Sequence, residues 1–233
     1  MIGIIGDIHG CFNTLSELVR DIRKKYPDIK LYCVGDLVDR GNFSCEVIDF
    51  IQKEQISFTP GNHDYMFYYF MKHPSSLFAS SWLYNGYENT LKSYEDRYEK
   101  LGEHLEIIKS APLYYNLDDC FISHAGISIV LKGKLGKNPV SDIEKFDKAI
   151  LNNLESESGI LWTRDELLDL GKLQVVGHTR KEEIQLNEKN NTVYIDTSAY
   201  AGIKLSAIVV DKGKIIDTLS VPTKSEDIPY LDF

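Results

Sequence analysis

Short apolar runs alternate with longer amphipathic stretches at the start of the chain. Ile2 to Ile5 reads as a first strand, and Asn13 to Lys25 as a helix that places Leu15, Leu18, Val19 and Ile22 on one face. Leu31 to Val34 repeats the strand pattern. Ser44 to Lys53 repeats the helical one, with Val47, Ile48 and Ile51 inward, and Ser57 to Thr59 forms a short third strand before Pro60. Strand, helix and strand in succession are the grammar of βαβ units feeding a largely parallel sheet.

The pattern changes between Tyr65 and Pro112, where helical periodicity coincides with a dense set of rings that includes Phe67, Phe70, Phe78, Trp82, Tyr84, Tyr87 and Tyr94. An inserted helical subdomain over about residues 65–112 is expected, within a single domain spanning 1–233. Its rings either make a small core of their own or in part line the mouth of a site, with Trp82 and Tyr87 the foremost candidates. Cys120 to Ser123, Val175 to Val176, Val193 to Ile195, Leu205 to Val210 and Lys214 to Leu219 then read as short turn-bounded strands. They predict a second sheet packed on the first, and hence an α/β (or α+β) fold. Gly133 to Ser158 reads as loop with one short helix around Glu144 to Leu154, and the tail from Pro222 to Phe233 either docks or frays.

A length of 233 residues suits one well-buried domain. The net charge of -9 argues against a general nucleic-acid-binding face, while leaving room for a local basic pocket. Met1 runs directly into the first strand without a basic leader, and no apolar window approaches the roughly 18 residues of a membrane helix. A soluble, cytoplasmic protein that does not engage membranes is expected. Cys11, Cys33, Cys45 and Cys120 lack C-x-x-C spacing and read as reduced thiols.

Chemistry enters where the strands end. Gly6-Asp7-Ile8-His9-Gly10, Gly35-Asp36-Leu37-Val38-Asp39-Arg40-Gly41 and Gly61-Asn62-His63-Asp64 each follow one of the first three strands. Loops at the carboxyl ends of neighbouring parallel strands converge on one crevice, so all three deliver Asp, Asn or His to one place. Ser123-His124-Ala125-Gly126 and Gly177-His178-Thr179-Arg180 repeat the arrangement later in the chain. Of six histidines, His9, His63, His124 and His178 fall in these clusters and only His73 and His104 do not, which makes coincidence a poor account. Carboxylates neutralise and bridge cations, and imidazole suits manganese, iron, zinc or nickel. A pair of such ions about 3.5 to 4 Å apart clamps a phosphoryl group and activates water at neutral pH.

These motifs, in this order, resemble the calcineurin-like metallophosphoesterases, and within them the phosphoprotein phosphatase branch of lambda-type and bacterial Ser/Thr phosphatases. The similarity extends to Trp82-Leu83-Tyr84-Asn85-Gly86, Leu161-Trp162-Thr163-Arg164 and Tyr194-Ile195-Asp196-Thr197, nearly the whole chain. It implies two packed mixed sheets flanked by helices. By resemblance, Asp7 and His9 hold one divalent ion, Asn62, His124 and His178 hold the other, and Asp36 bridges them. Manganese is the foremost metal, with iron, zinc and nickel as alternatives. His63 would be the general acid, oriented by Asp39. Arg40 and Arg164 would grip phosphate oxygens, a task that suits the planar fork of guanidinium. The bland alternatives are a solvated turn for Asp39 and Arg40 and a surface helix cation for Arg164.

Two features depart from the branch's commonest pattern. Arg180 stands where many relatives carry proline, and is either a substrate-facing rim cation or an uninvolved surface residue. Asp64 replaces a frequent Glu, with little consequence expected. The implied activity is phosphomonoester hydrolysis with a Ser/Thr phosphoprotein as substrate. The alternative is a diadenosine polyphosphate or other small-nucleotide phosphoesterase, disfavoured because symmetrical hydrolases often lose the residue that here is Asp39. A third reading, a metal- or partner-binding module without catalysis, conflicts with retention of every expected ligand. Oligomeric state is not legible in the sequence.

Overall fold

The computed structural model of the chain describes residues 1–229. Strand β1 (Ile2–Ile5), helix α1 (Phe12–Lys25), strand β2 (Lys30–Cys33), helix α2 (Ser44–Lys53) and strand β3 (Ser57–Phe58) come first. The apolar faces read from periodicity are the buried faces of both helices. Four helices follow, α3 (Asn62–Lys72), α4 (Leu77–Trp82), α5 (Glu88–Ser93) and α6 (Tyr98–Ser110). Strands β4 (Tyr114–Asn116) and β5 (Phe121–Ser123) lead to short helices α7 (Lys132–Leu135) and α8 (Ile143–Leu151). The chain then forms β6 (Gln174–Val176), β7 (Gln185–Asn187), β8 (Thr192–Tyr194), β9 (Lys204–Asp211) and β10 (Lys214–Pro222).

Two mixed five-stranded sheets result. The first has the order β10-β9-β1-β2-β3, with β1, β2 and β3 parallel and β9 and β10 antiparallel. The second has the order β4-β5-β6-β8-β7, a parallel centre with an antiparallel strand at each edge. Strands β4 and β7 are absent from the sequence reading for a physical reason. Edge strands need no continuous apolar pattern, and Asn116, Gln185 and Leu186 remain exposed.

The two-residue period of a strand divides its side chains between layers. Ile2 and Ile4 of β1 meet Ile122, Val175, Val193, Ile208 and Val210 in the core between the sheets. Ile5, Ala207 and Val209 face the other way, onto Leu15, Leu18, Val47 and Ile48 of the helices. Phe121 of β5 turns outward to Phe146 of α8. The layers run helix, sheet, sheet, helix, each held by side chains worth about 1.5–3 kcal/mol apiece when fully buried.

Among the described residues no helix is long and apolar enough to cross a membrane. All four cysteines are free and buried. The tail docks as far as it is described, and residues 230–233 lie outside the described residues. Helix α1 has no side-chain cap of its own. Instead Asp227, fully buried, accepts hydrogen bonds from the backbone N–H groups of Asn13 and Thr14 and from both their side chains, at 2.6–2.9 Å. A carboxylate from the far end of the chain thereby neutralises the positive end of the helix.

Candidate metal centre

Each strand-end motif stops where a parallel strand of one sheet or the other runs out, and the backbone there is strained. Among the described residues nine non-glycine residues have positive φ, and five of them are His9, Asp36, Asp39, Arg40 and His178. Such conformations cost about 1–3 kcal/mol each and gather where function over-determines them. Two glycines admit the carboxylates. A Cβ at Gly61 would lie 2.0 Å from Asp36 Oδ1, and one at Gly177 would lie 1.8 Å from Asp7 Oδ1.

The structure brings Asp7, His9, Asp36, Asn62, His124 and His178 into one buried cluster. Asp36 lies at its centre, with Oδ2 3.3 Å from His9 Nε2 and 3.5 Å from His124 Nε2. Asn62 Oδ1 is 3.0 Å from both His124 Nε2 and His178 Nδ1. Asp7 accepts the backbone N–H of His178 through Oδ2 at 2.9 Å, while its Oδ1 is buried without a hydrogen-bond partner.

Outer contacts fix the rings. His9 Nδ1 donates to the Val38 carbonyl at 2.9 Å, His124 Nδ1 to Val34 at 3.0 Å, and His178 Nε2 to Trp162 at 3.1 Å. Each leaves its other nitrogen as a lone pair aimed into the cluster, the arrangement in which protein-held imidazole binds metal. Burial keeps these rings neutral, lowering His9 and His124 and taking His178 down to about 2. Burial and the neighbouring Asp196 and Asp36 push Asp7 well up. Crowded buried carboxylates, an orphan carboxylate oxygen and inward lone pairs are a donor set that divalent cations fit.

The motif Gly61-Asn62-His63-Asp64 is the first turn of α3, not the loop that the sequence suggested. Asp64 anchors that turn. Fully buried, it accepts from the Gly61 N–H at 2.8 Å and from Leu37 N–H at 2.9 Å, tying the start of α3 to the second motif. His63 Nδ1 lies 2.6 Å from Asp39 Oδ2, and a ring nitrogen of His63 lies within 4.8 Å of donor atoms of His9 and Asp36. Burial pushes Asp39 up to about 8 and His63 down to about 4. Arg40 donates to His63 Nε2 at 2.9 Å and to His9 Nε2 at 3.1 Å.

Trp82 is not at the mouth of the site. It is fully buried against Phe67, Phe70 and Tyr87, and its indole N–H donates to both oxygens of Asp39, at 3.0 and 2.9 Å. Thr90 Oγ1 donates to Asp39 Oδ1 at 2.8 Å. The helical insertion therefore grips the carboxylate from beneath, because a buried indole needs a partner for its N–H.

A narrow cavity of about 170 Å³ opens onto the cluster, with Arg40, Arg164 and Arg180 around it. Arg164 also donates to the His178 carbonyl at 3.3 Å. Two further residues were given no site role by the sequence, Tyr200 and Asp196, the latter quoted only within a stretch of the resemblance. Tyr200 carries Arg40 at 4.1 Å and Arg180 at 4.9 Å from its ring centroid, and no local signal marks it. Asp196 lines the cavity just beyond β8, where the strand-end rule that singled out Asp7 would have found it.

A double mixed sandwich with a His/Asp/Asn cluster at its strand ends defines the metallophosphoesterases. The chain belongs to the calcineurin-like phosphoesterase family, whose model matches residues 1–199. It is 32% identical to the asymmetrical bis(5'-nucleosyl)-tetraphosphatase PrpE of Anoxybacillus flavithermus, over 98% of this chain and 95% of that one. Among solved structures, a candidate diadenosine tetraphosphatase shares the fold with a TM-score of 0.62 at 20% identity, covering 96% of this chain and 94% of that one. The cold-active protein-tyrosine phosphatase of a psychrophilic Shewanella shares it with a TM-score of 0.61 at 18% identity, over 96% and 80%.

Proposed function

We propose that this chain hydrolyses dinucleoside polyphosphates with two divalent metal ions, rather than acting first on phosphoproteins. One observation carries the reading: three guanidiniums, Arg40, Arg164 and Arg180, surround a single narrow cavity. That is more cationic grip than one phosphomonoester needs, and it suits a chain of several phosphates. The near-full-length likeness to an asymmetrical bis(5'-nucleosyl)-tetraphosphatase supports it and outweighs the argument drawn from Asp39, which concerned symmetrical hydrolases.

In this mechanism Asp7 and His9 would hold one ion and Asn62, His124 and His178 the other, with Asp36 placed to serve either. When bound, the ions would supply Lewis-acid polarisation of the phosphoryl group and activation of water. Arg40, Arg164 and Arg180 hold phosphate oxygens and offset charge that grows in the transition state. Tyr200 orients Arg40 and Arg180 by stacking. His63 would pass a proton from Nε2 to the leaving oxygen once protonation there displaces the Arg40 N–H that now donates to it, with Nδ1 fixed by Asp39.

The His63–Asp39 pair favours a second reading, hydrolysis of phosphoserine or phosphothreonine, because an alkoxide leaves poorly without a proton. The test is a direct comparison with manganese-loaded protein: bis(5'-adenosyl) tetraphosphate against a phosphoserine peptide, with nucleotide products separated by ion exchange. The proposal expects mononucleotide plus triphosphate and a higher kcat/KM on the tetraphosphate. A higher kcat/KM on the peptide would reverse the order of the two readings.

A further inference from the structure

Beside the arginine-lined cavity lies a second one, of about 420 Å³, and Trp162 and Arg164 form part of the wall of both. Its other walls are chemically unlike the first. Leu77, Phe78 and Ser81 come from α4, and Glu155 and Glu157 from the loop after α8. The rings of Phe78 and Trp162 stack at 5.7 Å with an interplanar angle of 16°. Trp162 Nε1 is buried without a hydrogen-bond partner. Leu77 stands at the rim with 77% of its surface in solvent.

We propose that this second cavity is a nucleoside subsite, which receives the base and ribose attached to the phosphate held by the arginines. The inference rests on the dinucleoside polyphosphate reading and adds the place where the substrate is recognised. The two cavities divide the charge as a nucleotide does. Arg40 and Arg180 stand over the first alone and Arg164 is shared, whereas Phe78, Leu77, Glu155 and Glu157 line only the second. Glu155 and Glu157 disfavour further phosphate beyond the one that the shared Arg164 reaches, and their oxygens can accept from ribose hydroxyls and exocyclic amines. The stacked ring wall offers a base an apolar face, an interaction worth about 1–3 kcal/mol and tolerant of base identity. The volume lies at the lower end of small-molecule pockets, about 300–1,000 Å³, and admits one nucleoside.

Ser81→Phe, which fills the cavity from an exposed position, and Leu77→Ala, which trims its rim, test the proposal with little risk to folding; thermal unfolding verifies the latter. The substrates are bis(5'-adenosyl) tetraphosphate and p-nitrophenyl phosphate, which has no nucleoside. Calorimetry with AMP and with inorganic phosphate measures binding apart from turnover. In Ser81→Phe we expect KM for the tetraphosphate to rise, and AMP affinity to fall, by about tenfold, the equivalent of one lost stacking wall. Leu77→Ala should shift both in the same direction by less, and p-nitrophenyl phosphate turnover and phosphate affinity should stay at wild-type values. Unchanged KM and AMP affinity in a wild-type background that does hydrolyse the tetraphosphate would overturn the subsite alone. An equal loss on both substrates would also overturn it, because the cavity would then act on the metal site. Wild-type protein that ignores the tetraphosphate but hydrolyses the phosphopeptide, with Ser81→Phe raising KM for the peptide, would overturn the underlying reading and give the cavity to a peptide side chain.

Discussion

Trp82→Phe separates a positioning role from a substrate-binding one. The substitution keeps a ring among Phe67, Phe70 and Tyr87 and deletes the N–H that reaches both oxygens of Asp39. A hydrogen bond of this kind contributes about 1–3 kcal/mol when its acceptor is buried, and the smaller ring adds about 1 kcal/mol of lost packing. The sum, about 2–4 kcal/mol, lowers Tm by about 4–16 °C in a chain of this length. The sign with pH follows from the donor. An N–H stabilises the ionised carboxylate, so its loss should cost more above the Asp39 titration, at about 8, than below it. In activity, Asp39 keeps Thr90 and His63, and Trp82 lines neither cavity. Steady-state kinetics should therefore show kcat reduced with KM and metal content unchanged, and circular dichroism should show the fall in Tm. Altered KM at constant kcat would refute the reasoning, since it would return Trp82 to the mouth of the site. A Tm penalty that shrinks as pH rises would refute the proposed contact with Asp39.

His63→Asn should retain both metals, measured by elemental analysis, and lose about 10²–10⁴ in kcat on phosphoserine. On bis(5'-adenosyl) tetraphosphate the loss should be smaller, since a nucleotide departs as a stable anion; equal losses or missing metal would contradict the general-acid assignment. Arg40→Ala and Arg164→Ala should each keep metal content near wild type and cost about 2.7–4 kcal/mol in kcat/KM, as loss of a preorganised donor does. Metal loss in either variant would make that arginine a support for the ions. Asp227→Ala should lower stability to denaturant by about 2–4 kcal/mol, because two helix N–H groups and two side chains lose a buried acceptor together. A change below about 1 kcal/mol would mean that water replaces the cap.

Periodicity alone determined the strand and helix order of the first half, because Leu15, Leu18, Val19 and Ile22 recur at helical spacing and Ile2 to Ile5 do not. It also marked the cluster at the strand ends, since glycine followed by Asp or His after an apolar run is a local signal of a sharp turn that presents a ligand. Strands β4 and β7 were illegible because an edge strand draws its order from its neighbour and needs few apolar residues. Other features depend on residues that only folding brings together. Asp227 caps a helix more than 200 positions away, and Trp82 holds Asp39 across 43. Tyr200 joins Arg40 to Arg180 on one ring. A hydrogen bond or a stacked ring has directional requirements that composition and spacing do not record. The sequence thus marked which side chains carry donor groups suited to metal and phosphate. Tertiary structure decided which of the others would orient them, because orientation depends on approach in space and spacing along the chain carries no trace of it.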